Sequence, residues 1–82
     1  MPIVQRFTYT NSTSAKVRVI LEPWAEEFRV RPGQVVEVVV DADAPGCIEL
    51  EQKTACFIIY GYTGSTVELF SDGKEMVPFT EE

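Results

Sequence analysis

The stretch "KVRVILEPWAEEFRVRPGQVVEVVV", Lys16 to Val40, decides the fold class. It holds three runs of alternating apolar and polar residues, parted by Pro23-Trp24 and by Arg31-Pro32-Gly33-Gln34. Val17, Val19 and Leu21 alternate with Lys16 and Arg18, and Phe28 and Val30 alternate with Glu27 and Arg29. Val36, Val38 and Val40 alternate with Val35, Glu37, Val39 and Asp41. A period of two is the mark of a strand with one face buried. The proline-centred breaks are the points where a ladder must lapse, because proline lacks an N–H and fixes φ. "RPGQ" carries Pro and Gly in the order a β-turn favours.

The same reading extends outward in both directions. Ile3–Thr10 is a strand with Ile3, Phe7 and Tyr9 on one face, turned by "NSTS" into a second strand, Ala15–Leu21. Glu27–Arg31 is the third, and the valine-rich run the fourth. After "DADAPG", the run "CIELEQ" places Ile48 and Leu50 inward and Cys47, Glu49 and Glu51 outward. "ACFIIY" is apolar on both faces, as in a central strand. Thr66–Ser71 follows "GYTGS", and Asp72-Gly73 is a strong two-residue hairpin signal leading to a last strand that reaches Phe79. Glu81 and Glu82 read as a solvated tail. The expectation is a single all-β domain over residues 1–82: a small antiparallel β-sandwich, immunoglobulin- or cupredoxin-like, of about 7–8 short strands.

Composition limits the function classes. The chain has 82 residues, 45% hydrophobic and 24% charged, which is globular composition. No apolar run approaches the roughly 20 residues of a membrane span. The first residues lack the pattern of a signal peptide, so the expected location is cytoplasmic, with no membrane partner. A net charge of −6 argues against nucleic acid, which needs a cationic surface. Arg6, Lys16 and Arg18 precede every acidic residue, so a basic start is joined to an acidic body, an arrangement able to bring copies together head to tail or simply to be solvated.

There is no histidine. That removes serine or cysteine triads built on imidazole and a histidine-ligated copper site, so no catalytic, cofactor or metal residues are expected. The carboxylate pairs Glu26/Glu27 and Glu49/Glu51 remain as acid–base candidates, but a chain this short hardly builds a substrate cleft around them. Cys47 and Cys56 are expected as buried thiols, with a disulfide as the alternative. "DADAPGCIELEQ", Asp41 to Gln52, imitates a calcium loop at its first, third and sixth positions. It has Pro45 at the fifth and Gln52 where a bidentate Glu is needed, so it reads as a turn. "NST" at Asn11 fits a glycosylation sequon, which matters only to a secreted chain.

Two sets of residues are candidate sites. Trp24 is the only tryptophan and sits in an acidic turn. Either it plugs the open end of the core, or it forms an aromatic ligand platform with Tyr60 and Tyr62, rimmed by Glu22 and Glu26. The second set comes from the Asp72-Gly73 register, which pairs Leu69 with Met76 toward the core. Phe70, Val77 and Phe79 then fall on the opposite face, a candidate interface between copies or with another protein.

The segments "EPWAEEFRVRPGQVVEVVV" and "IIYGYTGSTVELFSDGKE" resemble small uncharacterised bacterial all-β proteins that carry an E-P-W-[AG]-E-E stretch, a Pro-Gly turn, a Val-rich strand and a terminal D-G hairpin. The resemblance spans about Leu21 to Glu75 and implies a compact β-sandwich with no assigned activity. The expected function is therefore a non-catalytic structural or protein-interaction module, self-associating through its C-terminal hairpin. The alternative is a small ligand- or carbohydrate-binding sandwich using Trp24 and its tyrosines.

Overall fold

The computed structural model describes residues 2–80, so the Glu81–Glu82 tail expected from the sequence lies outside the described residues. Eight strands form two four-stranded sheets: β1 (Ile3–Thr10), β2 (Val17–Glu22), β3 (Glu26–Val30), β4 (Val35–Ala42), β5 (Glu49–Lys53), β6 (Cys56–Tyr60), β7 (Ser65–Ser71) and β8 (Lys74–Glu75). The first sheet has the order β1-β4-β7-β8 and the second β3-β2-β6-β5. The two pack face to face as a β-sandwich. No helix among the described residues is long and apolar enough to cross a membrane.

The alternating residues fill the space between the sheets. Val19, Leu21, Phe28, Val30, Val36, Val38, Val40, Ile59, Val67 and Leu69 form the buried cluster, with Phe7, Tyr9, Ile48, Phe57 and Met76 packed against it. Tyr9 of β1 stacks on Phe57 of β6, ring centroids 4.6 Å apart, which ties one sheet to the other along one flank. The central strands are buried on their outer faces too. Val39 of β4 sits between Arg6 and Glu68 on the neighbouring strands, and Ile58 of β6 between Ile20 and Glu51, so long side chains cover both.

The ladders depart from the sequence reading in four places. The sandwich is not purely antiparallel: β2 and β6 run parallel, side by side in the middle of the second sheet. Each is the partner of a tight hairpin, β2 with β3 and β6 with β5, and the two hairpins meet through the strands that point the same way. Leu50 faces inward opposite Ile59 but is 53% exposed, because β5 is the outermost strand and the other sheet does not reach over it. Cys56 is a buried thiol as expected, but Cys47 is exposed, and both are free.

The fourth departure is the C-terminal strand. Asp72 and Gly73 both take positive φ (52° and 78°), the geometry of the expected two-residue hairpin, and Phe70 pairs with Glu75 as the register requires. The ladder then ends with Met76 N–H donating to the Leu69 carbonyl at 2.8 Å. Pro78 has no N–H to offer and the chain crosses to the other sheet, where Phe79 N–H donates to the Glu27 carbonyl at 2.6 Å. The Phe79 ring lies under the Arg29 guanidinium, 3.9 Å from its centroid. Phe70, Val77 and Phe79 therefore do not share a face. Phe70 is half-buried on the outer side of the first sheet, Val77 is 84% exposed at the crossing, and Phe79 lies against the second sheet.

Asn11 is a structural hub. It is completely buried, with its amide donating to the Ala15 carbonyl at 2.9 Å and the Val30 carbonyl at 3.0 Å, while its side-chain oxygen accepts from Thr13 N–H and Oγ1. The folded protein thus leaves the sequon nitrogen no room for a glycan. Two of the three cations of the basic start face carboxylates: Arg6 faces Glu37 at 3.8 Å and Arg18 faces Glu27 at 3.5 Å.

Candidate functional site

At one end of the sandwich, two turns stand side by side because β2 and β6 are parallel neighbours. The turn after β2 carries Pro23, Trp24 and Ala25, and the turn after β6 carries Gly61, Tyr62, Thr63 and Gly64. Gly61 N–H donates to the Glu22 carbonyl at 2.7 Å, continuing the β2–β6 ladder into the turns and fixing their spacing.

Each turn is held by its own side chains. The Glu22 carboxylate accepts the Ala25 N–H at 3.1 Å, taking the place a backbone carbonyl would have in a hydrogen-bonded turn. The Glu22–Pro23 peptide is cis, and Ala25 has φ +58°, a left-handed conformation that costs a residue with a Cβ about 1–2 kcal/mol. In the second turn the Ser65 hydroxyl accepts Tyr62 N–H at 2.8 Å and donates to the Tyr62 carbonyl at 2.7 Å. The Tyr62 hydroxyl donates to the Ala44 carbonyl at 3.1 Å, and its ring lies flat on Gly46. Tyr62 is thus anchored at both ends.

Trp24 is not a plug. It keeps 40% of its surface exposed, although the end-closing reading expects it buried. Its ring leans across to the second turn and rests on Gly61: a Cβ at that position would stand 2.5 Å from Trp24 Cη2. Between the turns lies an open groove of about 480 Å³, lined by Glu22, Pro23, Trp24 and the segment Tyr60–Ser65. A second opening of about 270 Å³ is lined by Trp24, Glu26, Thr66 and Val67. The five residues of the aromatic-platform reading therefore gather around one ring. Glu22, Trp24, Tyr60 and Tyr62 share the groove, and Glu26 lines the adjoining opening. The register explains the placement of Glu26, which pairs with the inward-facing Leu21 and so occupies a core-side position just where the sandwich ends.

The carboxylates weighed as acid–base pairs separate by face. Glu27 is held by Arg29 at 2.6 Å and Arg18, away from Glu26. Glu49 and Glu51 lie on the outer face of β5, where Glu51 accepts the Tyr60 hydroxyl proton at 2.6 Å. Tyr60 is held in its neutral form above the ordinary phenol range, first by that hydrogen bond, then by burial, then by the charges of Glu51, Glu22 and Glu49. Three carboxylates thus act on one phenol at the rim of the groove. No arginine or lysine lines either opening among the described residues. Among the described residues, no three Cys, Asp or Glu side chains form a group that could hold a metal ion.

The lining residues Pro23, Gly61, Thr63, Gly64, Ser65, Thr66 and Val67 were not among those expected from the sequence. Gly61 had a readable signal, since a glycine between two tyrosines leaves a flat seat for a ring. Thr66 and Val67 had none, because the edge they occupy is defined by how soon β8 stops. No family model matches the chain, and neither a curated protein nor a solved structure matches it.

Proposed function

We propose that this β-sandwich is a non-catalytic binding module that takes its ligand in the groove between the Glu22–Ala25 and Tyr60–Ser65 turns. The observation that carries the reading is the posture of Trp24. A large ring left 40% exposed, seated on a glycine and flanked by two tyrosines, offers preorganised apolar contact area at little further loss of side-chain freedom. The local backbone supports it: a left-handed alanine next to the ring is the kind of conformation that persists where the surroundings hold a side chain in place. Ligands in such grooves meet mostly apolar surface with a few polar groups to orient them, and Glu22, Tyr60 and Thr63 supply these. A panel of oligosaccharides, amines and short peptides, followed by Trp24 fluorescence and backbone amide shifts, tests the proposal. Binding moves the amides of Glu22, of residues 24–26 and of residues 60–67. Shifts confined to the outer faces of the sheets, or none with any ligand, refute it.

A second reading, self-association, rests on the outer face of the first sheet. There Val4 and Val35 are half exposed and Phe70 is half-buried. Glu37, Asp41, Glu68 and Glu75 are interspersed on that face with Arg6, so the excess of like charge opposes the contact of two copies. Sedimentation equilibrium across salt concentrations tests it: this reading requires a dimer that strengthens as salt screens the like charges, and a monomer throughout rejects it.

A further inference from the structure

β7 is longer than the strand that covers it. It runs from Ser65 to Ser71, whereas β8 pairs only with Phe70 and Ser71 and adds the single bond from Met76 N–H to the Leu69 carbonyl. Beyond that point the chain leaves for β3. Because backbone groups alternate sides with a period of two, the N–H and carbonyl of Val67 point to the same side as the Leu69 carbonyl. Among the described residues, no other backbone group bonds to Val67 on that side. Val67, only 7% exposed, lines the opening together with Trp24, Glu26 and Thr66.

Three features meet there: one free pair of main-chain groups, one exposed indole face, and carboxylates. Glu26 lines the opening, Glu22 lines the adjoining groove, and Glu49 and Glu51 flank Tyr60 at its rim. The nearby cations are engaged elsewhere, with Arg18 and Arg29 both on Glu27. A net charge of −6 adds a long-range field of the same sign. Free N–H and C=O groups at a sheet edge recognise an extended backbone, and an indole with a carboxylate in each adjoining opening recognises a guanidinium or ammonium group.

We infer that the occupant is an extended peptide segment of a partner protein, pairing with the open edge of β7 at Val67 and placing an arginine or lysine side chain on Trp24 between Glu26 and Glu22. This rests on the groove reading above and names its ligand. The peptide continues the line of β8 along β7, so the first sheet gains a strand. Its basic side chain exchanges water for the ring face and the carboxylates.

The test uses the full chain and three kinds of probe. The first is a short peptide of alternating Val and Thr with a central Arg, the same peptide with a central Glu, and the Arg peptide N-methylated at the amide facing Val67. The second is a free alkylguanidine and the third a neutral oligosaccharide. The Arg peptide shifts both Trp24 emission and the Val67 amide, and its affinity falls as salt is raised. The Glu peptide and the N-methylated peptide each bind at least about tenfold more weakly. Glu26→Gln combined with Glu49→Gln and Glu51→Gln weakens the Arg peptide while leaving the fold intact, whereas Glu22 is kept because it holds its turn. Equal affinity for the Arg and Glu peptides overturns the inference, as does alkylguanidine binding as tight as the peptide's with the Val67 amide unmoved. If the oligosaccharide alone perturbs Trp24, the groove reading stands and the peptide falls. If no probe perturbs Trp24, both fall.

Discussion

Removing the Trp24 ring separates a seated, half-open side chain from a plug. A packed aromatic covers about 150–250 Å². Trp24 leaves 40% of its surface exposed, so about three-fifths of that area is at stake. At about 25 cal/mol per Å², the roughly 90–150 Å² involved corresponds to about 2–4 kcal/mol. Alanine keeps some of the contact and the unfolded chain is already partly compact, which brings the expected loss for Trp24→Ala to about 2 kcal/mol. In a domain of this size that lowers Tm by about 8–16 °C. Urea unfolding followed by far-ultraviolet circular dichroism measures it, since the variant has no tryptophan to report. A loss above about 4 kcal/mol would mean a ring that closes the core, of the kind whose removal opens a cavity. A loss below about 0.5 kcal/mol would mean a ring free of Gly61, and the groove argument would fail with it.

Gly61→Ala places a methyl group 2.5 Å from Trp24 Cη2 and 3.0 Å from Ser65 Oγ, so the ring must lift. Acrylamide should quench Trp24 more strongly, at a stability cost of about 1–3 kcal/mol, and unchanged quenching would contradict the seating. Asn11→Ala strips hydrogen bonds from the Ala15 and Val30 carbonyls and should cost about 2–4 kcal/mol by urea unfolding, against almost nothing if the hub were ornamental. Glu68 is held above the ordinary carboxyl range by burial first, then by Glu75 beside it and by Asp41. A raised carboxyl favours folding while protonated, and the penalty of ionising it grows as pH rises from its unfolded value through its folded one. Glu68→Gln should therefore stabilise the protein at neutral pH and make no difference in acid; a stability gain that persists below the carboxyl range would refute the assignment.

The strands were legible wherever one face was apolar and the other polar. β1 through β4 could be read almost to the residue, because Val17–Val19–Leu21 and Val36–Val38–Val40 keep a period of two marked by Arg18 and Glu37 between them. The Asp72-Gly73 register was legible for the same reason that the turn is rigid: only a few residues tolerate two consecutive left-handed conformations. What lay hidden was non-local. Nothing in the order of residues 17–22 and 56–60 says that these strands lie side by side and parallel, and that adjacency alone brings Trp24 to Gly61 and Tyr60 to Glu22. The fate of Phe79 was hidden too. A single proline was enough to end the ladder, and a cation on the opposite sheet gave the ring a different home.

The parallel seam between β2 and β6 also sets a timetable. The hairpins β2–β3 and β5–β6 join neighbours in sequence and can form within microseconds. Their union cannot, because residues 23–55 intervene, and that segment includes β4, the strand that must first find β1 and β7 in the other sheet. The entropy of closing so long a loop falls on the step that zips Arg18–Glu22 onto Cys56–Tyr60. Refolding should thus be slow for a chain this short, on the order of milliseconds to seconds. The groove beside Trp24, which exists only once the two turns stand abreast, should be the last part of the molecule to appear and the first to be lost when the seam opens.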